Sequence, residues 1–382
     1  MVHGRFHAFD LARELLKQGH EVVLFTNYPK RVVAKFGIPR EHVRSFLAHG
    51  LLSRAIGRLF GGHAFEALLH QLFGRWAAWS IQREKQFDAI HGFTGITDEY
   101  LLLYAQKGTV RSLVRGSAHI AVQARLLAEE ARRAGVPIDQ PSEWMIQREL
   151  REYGMADLII VLSSFAYQSF LDEGVDPGKL AQVPLGSELK RFRPAAEIIE
   201  ARCQRILSGQ RLRVLTVGTF SYRKGALDLV AITRALGHKC EFEFVGDTPA
   251  ETRSLCAQAK LKFTPRQPQF ELPKFLAAAD VFVFPTIEDG YAAVLAQAQA
   301  AGLPVLATTN CAAPDIVVPD ENGWVLPIRS PEAFIARLEW CDTHRQELAA
   351  MVRYTYDHFQ GRDWADVAAD LVKAYERWFA QH

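Results

Sequence analysis

Two short segments in the second half of the chain carry residue types suited to binding phosphate and hydroxyl groups. The first, VGTFSYRKGALDLV, places Gly218 and Thr219 at the end of an apolar run and Arg223-Lys224-Gly225 just before a helical pattern. A glycine-containing loop that feeds a helix gathers backbone N–H groups and the positive end of the helix dipole at one point. Arginine grips two oxygens and lysine acts as a point charge, so this pair suits a diphosphate. A solvated Arg-Lys turn before an ordinary helix would carry the same letters. The spacing is not that of a Walker loop, GxxxxGK[ST].

The second segment is FVFPTIEDGYAAVLAQAQAAGLPVLATT. An apolar strand ends at Pro285, an acidic turn Glu288-Asp289-Gly290 follows, and an alanine-rich helix is predicted over 291–301. Asp289 is a suitable helix N-cap. Gly290, Tyr291 and Ala292 would then offer N–H groups to an anionic ligand. Gln297 stands eight residues after Asp289, about 12 Å along a helix. One end could hold a sugar hydroxyl and the other a ribose hydroxyl of one extended ligand. A capping Asp and a solvated Gln explain the same spacing equally well. In the first half, His119 follows a predicted strand in Arg115-Gly116-Ser117-Ala118-His119 and is the candidate there for a group facing the ligand. A hydrogen-bonded structural histidine fits that position as well. Gly4 and Arg5 precede the first helical pattern, where backbone and a cation could approach an anion.

These loops need strands and helices to hold them. Apolar, β-rich runs fall at 21–27, 88–93, 110–115, 158–163 and 182–185, and again at 213–217, 241–246, 262–264, 280–285, 304–308 and 324–326. Helical patterns lie between them at 6–18, 141–153, 226–236, 273–279, 291–301 and 331–340. Nearly continuous apolar strands alternating with helices predict an α/β protein with doubly wound parallel sheets. At 382 residues the chain exceeds one hydrophobic core. We expect a domain over 1–190, a linker at 191–210, a second domain over 211–358 and a final aromatic-rich helix over 359–382 that packs back across the boundary. Ligands of such sheets bind in the crevice at the carboxyl ends of the strands, here a cleft between the domains. Only MVHGR precedes the first helix, so a first strand is expected to be missing, through an incorrect start site or truncation.

Hydrophobic residues at 49% and charged residues at 23% exclude a disordered or low-complexity chain. A net charge of +2 gives no reason to expect nucleic acid as a partner. The five cysteines, Cys203, Cys240, Cys256, Cys311 and Cys341, show no metal-ligand spacing and are expected to be free thiols in a reducing compartment. No cofactor and no metal are expected. The near-neutral total hides 11 lysines and arginines against 5 acidic residues over residues 1–80. Overlapping this region, 51–86 interleaves Arg54, Arg58 and Arg75 with Leu, Phe and Trp. That pattern suits either a core helix with solvated arginines or an interfacial helix on an anionic membrane surface. The localisation expected is cytoplasmic, peripheral to the inner membrane face if the second reading holds.

The second half resembles the donor-binding domain of the GT-B glycosyltransferases of family 4. The resemblance rests on Gly218, on Lys224-Gly225, on Pro285-Thr286-Ile287-Glu288-Asp289-Gly290, and on Gln297 through Val305 with PDIVVPDENGWVLP downstream. FHAFDLARELLKQGHEV, EYGMADLIIVLSSF and VPLGSELKRFRP extend it to the first half. It implies a GT-B fold of two Rossmann-like domains facing a cleft, with the C-terminal helix crossing back. It implies a retaining glycosyltransferase that moves a sugar from a nucleotide sugar to a glycan or lipid-linked acceptor. Lys224 then matches the residue that binds the donor diphosphate, and Arg223 replaces an arginine that often stands where this chain has Thr219. Asp289, or Glu288 if the loop is shifted by one, matches the first acidic position, which contacts the donor sugar. His119 matches a histidine near the sugar, and Gly4 lies in the loop close to the donor phosphate. Gln297 replaces the second glutamate and loses its charge. That substitution also leaves open a non-catalytic, sugar-nucleotide-binding or scaffold protein. A nicotinamide-dependent oxidoreductase is disfavoured, because no GxGxxG follows a predicted strand with an acidic residue about 20 positions on.

Overall fold

The computed structural model describes residues 1–60, 65–84, 86–104 and 108–382. The second half is built on a six-stranded sheet: β7 (Leu212–Thr219), β8 (Cys240–Asp247), β9 (Lys262–Thr264), β10 (Val281–Phe284), β11 (Val305–Thr308) and β12 (Gly323–Leu326). Its order is β12-β11-β10-β7-β8-β9, and every pairing is parallel. From β7 the chain runs outward to β8 and β9, then returns to β10 on the other side of β7. The strand order thus reverses between β7 and β10, and the loops leaving these two strands flank the crevice where open α/β sheets bind ligands. The apolar runs VLTV and VFVF occupy the middle of the sheet because only fully covered strands can be apolar on both faces.

The first half carries β1 (Leu24–Thr26), β2 (Val43–Ser45), β3 (Ala89–Phe93), β4 (Val110–Arg115), β5 (Leu158–Val161) and β6 (Leu180–Gln182). β3 to β6 form a parallel sheet in sequence order, and β1 pairs with β2 in a separate parallel pair. Between the two sets, Val2 makes a parallel bridge to Thr26, and the Met1 amine donates to His91 O at 2.5 Å. Beside this bridge lies a cavity of about 540 Å³, lined by Met1, Leu24, Phe25, Ile90 and Tyr375 among others.

The run expected at 182–185 pairs instead at Leu180–Gln182, and β2 has no counterpart in the expectations. Helices Ile120–Ala134, Ser164–Asp172 and Arg345–His358 are also additional to them. Within 191–210 the chain forms the helix Ala196–Leu207, whose Ile199, Cys203 and Ile206 enter the core of the second half. Cys203, Cys240, Cys311 and Cys341 are buried free thiols, and Cys256 is half-buried and free. The last helix, Trp364–Gln381, is anchored by a capping box at Asp363 and Asp366. It crosses back to pack Val367, Ala368, Leu371 and Ala374 into the core of the first half. Among the described residues, no helix is long and apolar enough to cross a membrane.

Candidate functional site

The loop after β7 turns through Tyr222–Lys224 into the helix Ala226–Leu236. Gly225 takes φ +77°, and a Cβ there would lie 1.9 Å from Pro285 O, so only glycine lets this turn pack on the loop after β10. The two loops are stitched together by Ile287 N–H to Arg223 O (2.9 Å) and Thr286 Oγ1 to Arg223 O (3.2 Å). Asn310 Nδ2 adds a bond to Ile287 O at 3.1 Å.

Lys224 Nζ lies 2.6 Å from Asp289 Oδ2, and Arg223 Nε lies 2.8 Å from Glu288 Oε2. Burial opposes the Asp289 carboxylate, yet Lys224 and Arg223 outweigh it and hold its pKa below the ordinary value. Both acidic residues of the turn are therefore in use, with different jobs. Glu288 is wholly buried and faces across the cleft. It accepts from Ala118 N–H (2.9 Å), Gln123 Nε2 (2.9 Å) and Arg223. Gln123 Oε1 in turn accepts from Arg115 (2.7 Å), which pairs with Glu149 (2.9 Å), and Tyr153 donates to Glu149 (2.5 Å). One polar chain thus runs from the core of the first half to the cation at the end of β7. Arg223 Nη2 also donates to Ser117 Oγ at 2.9 Å. Gly290 lies so close to the first half that a Cβ would come within 2.3 Å of Gly116 O.

The cleft holds a cavity of about 670 Å³ lined by Arg223, Asp289, Tyr291 and Ala292 from the second half. From the first half it is lined by Arg115, Gly116, Ser117, His3, Phe6, His7 and His70 among others. Gly218, Thr219, Lys224 and Gln297 lie outside this lining. Gly218 and Thr219 occupy the end of β7, opposite Gly246 and Asp247 of β8. Gly4 sits in the loop before the first helix with φ +109°, its N–H donating to Asn27 Oδ1 at 3.1 Å. Among the described residues, no group of three or more His, Cys, Asp and Glu side chains is arranged to hold a metal ion.

Three expectations need correction. The helix expected over 291–301 is Ala293–Ala300, because Ala292 adopts a left-handed φ of +60°. Gln297 is thus four residues, or about 6 Å, beyond the helix start, and the 12 Å spacing from Asp289 does not apply. The N–H groups of Tyr291 and Ala292 are not open to a ligand. Both donate to Asp289 Oδ1, at 3.1 and 2.9 Å. His119 does not face the cleft cavity. It is 3% exposed, its Nδ1 accepts from Ala121 N–H at the start of Ile120–Ala134, and its ring packs against Tyr153 and Phe170. The residues before it, Gly116 and Ser117, take the chain to the cleft, and the helix then turns His119 back into the core.

Burial lowers the His119 pKa to about 4, so the ring is neutral in the folded state at neutral pH. An unfolded histidine binds its proton near 6.5, so the unfolded chain holds more protons between these values. Stability from this residue is complete above about pH 6.5 and is lost as pH falls toward 4. His119→Phe is expected to keep turnover unchanged. It should cost about 1 kcal/mol for the lost cap and reduce the fall in unfolding temperature between pH 7 and pH 5. A large loss of turnover would return His119 to the reacting centre.

Sequence reasoning missed the cleft roles of Ser117, Gln123 and Arg115, and the aromatic lip of Phe6 and His7 packed on Phe93. Phe6 holds φ +40°, an uncommon backbone for a bulky residue that no periodicity announces.

The sequence signature described as Glycosyltransferase Family 4 matches residues 5–191, and that described as Glycosyl transferases group 1 matches residues 211–342. A D-inositol 3-phosphate glycosyltransferase of Streptomyces scabiei is 26% identical over 397 residues, taking in 98% of this chain and 86% of the relative. The amylovoran biosynthesis glycosyltransferase AmsK of Erwinia amylovora is 24% identical over 203 residues. That match spans 49% of this chain and about half of the relative's length, 48%. Among solved structures, sucrose-phosphate synthase of Thermosynechococcus elongatus superposes with a TM-score of 0.74 at 20% identity, covering 98% of this chain and 93% of the other. HepE of Anabaena in complex with UDP gives a TM-score of 0.67 at 14% identity, covering 97% and 95%. The two signatures spanning both halves place this chain in glycosyltransferase family 4, group 1, and the two parallel sheets with their solved neighbours give it the GT-B fold.

Proposed function

We propose that the chain transfers a sugar, with retention of anomeric configuration, from a nucleotide-diphosphate donor to a glycan or lipid-linked acceptor. The observation that carries this reading is the pair Arg223 and Lys224 at the β7/β10 crevice, each already held by a carboxylate of the facing loop. A leaving diphosphate develops negative charge, and fixed cations in a partly buried cleft stabilise it without reorganising. On donor binding, before that charge develops, Lys224 exchanges Asp289 for a phosphate oxygen, which releases Asp289 Oδ2 toward the donor sugar. Arg223, fixed by Glu288 and Ser117, grips the second phosphate. The charge is neutralised by side chains, with no metal or cofactor required. The family membership, a GDP-mannose-dependent relative in Mycobacterium tuberculosis and a structural neighbour holding UDP-glucose all support a nucleotide-sugar donor.

The deciding experiment screens UDP-, GDP- and ADP-sugars by thermal shift, then follows transfer by NMR of the product's anomeric proton. Inverted product would overturn the retaining assignment. Saturable donor binding with neither transfer nor hydrolysis would establish the non-catalytic, scaffold reading that Gln297 favours. Gln297 is buried on the helix Ala293–Ala300, and in this reading its amide oxygen accepts a ribose hydroxyl. Gln297→Glu is expected to tighten the donor about 10-fold, since a charged acceptor roughly doubles a hydrogen bond. Titration calorimetry reads this directly, and unchanged affinity would remove Gln297 from the ribose site.

A further inference from the structure

The helices Leu47–Phe60 and Glu66–Ile81 present a surface that the transferase chemistry leaves unused. Of the stretch 51–86, residues 61–64 and 85 lie outside the described residues. On the second helix, Leu69, Phe73, Ala77 and Ile81 face the core, as an amphipathic helix requires. The opposite face is also apolar: Leu68, Leu72 and Trp79 are exposed, at 54%, 36% and 50%. With Arg75 they form one stripe at spacings of four, three and four residues. On the first helix, Leu51 and Leu59 are 68% and 75% exposed, with Ala55 between them at four-residue steps. Arg54 and Arg58 make a parallel exposed row beside that stripe, and Arg83 stacks over Trp79 with its guanidinium carbon 3.3 Å from the ring centre.

Contiguous exposed apolar surface marks an interaction site, and the charge pattern selects the occupant. The two helices carry a single acidic residue, Glu66, whose carboxylate accepts from Ser142 Oγ at 2.7 Å. A second copy docked on the same face would set arginines against arginines with no acid to pair them. An anionic bilayer satisfies both features, since leucine and tryptophan enter the boundary of the acyl chains while arginines meet the phosphates. We propose that this face docks on the surface of a membrane containing anionic lipid. The site borders the cleft, because His70 of the second helix lines the cleft cavity and packs 5.4 Å from His3. An acceptor carried on a lipid could therefore reach the cleft from the docked surface. That last step rests on the transferase reading, but the docking itself does not.

Flotation of the full chain with vesicles of phosphatidylcholine, alone or mixed with phosphatidylglycerol, tests the proposal. The protein is expected to float with the mixed vesicles, to remain below with the neutral ones, and to be released by high salt as screening shortens the reach of the arginines. Arg58→Gln/Arg75→Gln should weaken binding about 30-fold, on the scale of two basic contacts. Leu59→Asp/Leu68→Asp should abolish it, with unfolding temperature unchanged because these side chains are 75% and 54% exposed. No flotation, equal flotation on neutral vesicles, or a light-scattering dimer that Leu59→Asp converts to monomer without any vesicle binding would each overturn the proposal. Donor binding measured on the same variants separates a failure here from a failure of the transferase reading.

Discussion

Lys224→Ala is expected to lower turnover on the order of 100-fold, the scale on which enzymes lose rate when one charge-stabilising donor is removed. Its ammonium is the cation closest to Asp289, at 2.6 Å among the described residues, and it sits at the point where the loops after β7 and β10 meet. The chain should fold normally, because Gly225, not Lys224, sets the turn, and Asp289 keeps its two backbone donors at Tyr291 and Ala292. The loss should appear mainly in kcat, since the charge it meets grows as the sugar departs. Single-turnover kinetics with saturating donor is the measurement. Near wild-type turnover would remove Lys224 from the phosphate site.

Glu288→Ala is expected to act on both stability and rate. Its carboxylate is fully buried and receives three donors, two of them from the first half. Removing it leaves Ala118 N–H unpaired, leaves the Gln123 amide only Ser117 Oγ at 3.3 Å, and takes from Arg223 its carboxylate partner, so that Ser117 Oγ is the remaining side-chain acceptor of Arg223 among the described residues. Breaking a buried pair in this way costs up to about 3–5 kcal/mol, and the partial exposure of Arg223 places this case at the low end. Turnover should fall toward that of Arg223→Ala, because a guanidinium that has lost its carboxylate partner is held less firmly where the diphosphate forms. The double variant Arg223→Ala/Glu288→Ala should then lose much less than the sum of the two single losses in rate. Full additivity would mean that Glu288 serves the cleft independently of Arg223.

The pair Glu288-Asp289 shows where sequence reading reaches its limit. That an acidic turn after β10 lies at the crevice was legible, because a fully apolar strand followed by a polar turn and a helix has one reading in a parallel sheet. Which acid does what was not legible. It depends on Ala292 taking a left-handed backbone, which delays the helix by two residues and turns the Asp289 carboxylate onto the N–H groups of Tyr291 and Ala292. It also depends on a contact between residues 170 positions apart, Glu288 to Ala118. His119 misled for a related reason. Its place after a strand was read correctly, but the residue that begins a helix can point outward or inward, and Tyr153 and Phe170 decide the matter from elsewhere in the chain. Strands β7, β8, β10 and β11 were legible to within two residues at each end: apolar content on both faces marks β10 and β11, and apolar–polar alternation marks the start of β8. β2, only three residues long, carries too little pattern to separate from a loop.

The return of the helix Trp364–Gln381 to the first half has a mechanical consequence. The backbone passes between the halves twice, once after β6 and once before Trp364, and the passages touch. Ser187 N–H donates to Arg362 O at 3.0 Å, and a Cβ on Gly186 would lie 2.3 Å from Asp363 O. Two adjoining pivots behave as a door hinge, while a single tether would behave as a ball joint. Swinging about their common line remains easy, whereas twisting and sliding of one half on the other must strain two backbones at once. Any opening of the cleft would be guided back along one arc, returning Glu288 to Ala118 and Gln123 in the same register.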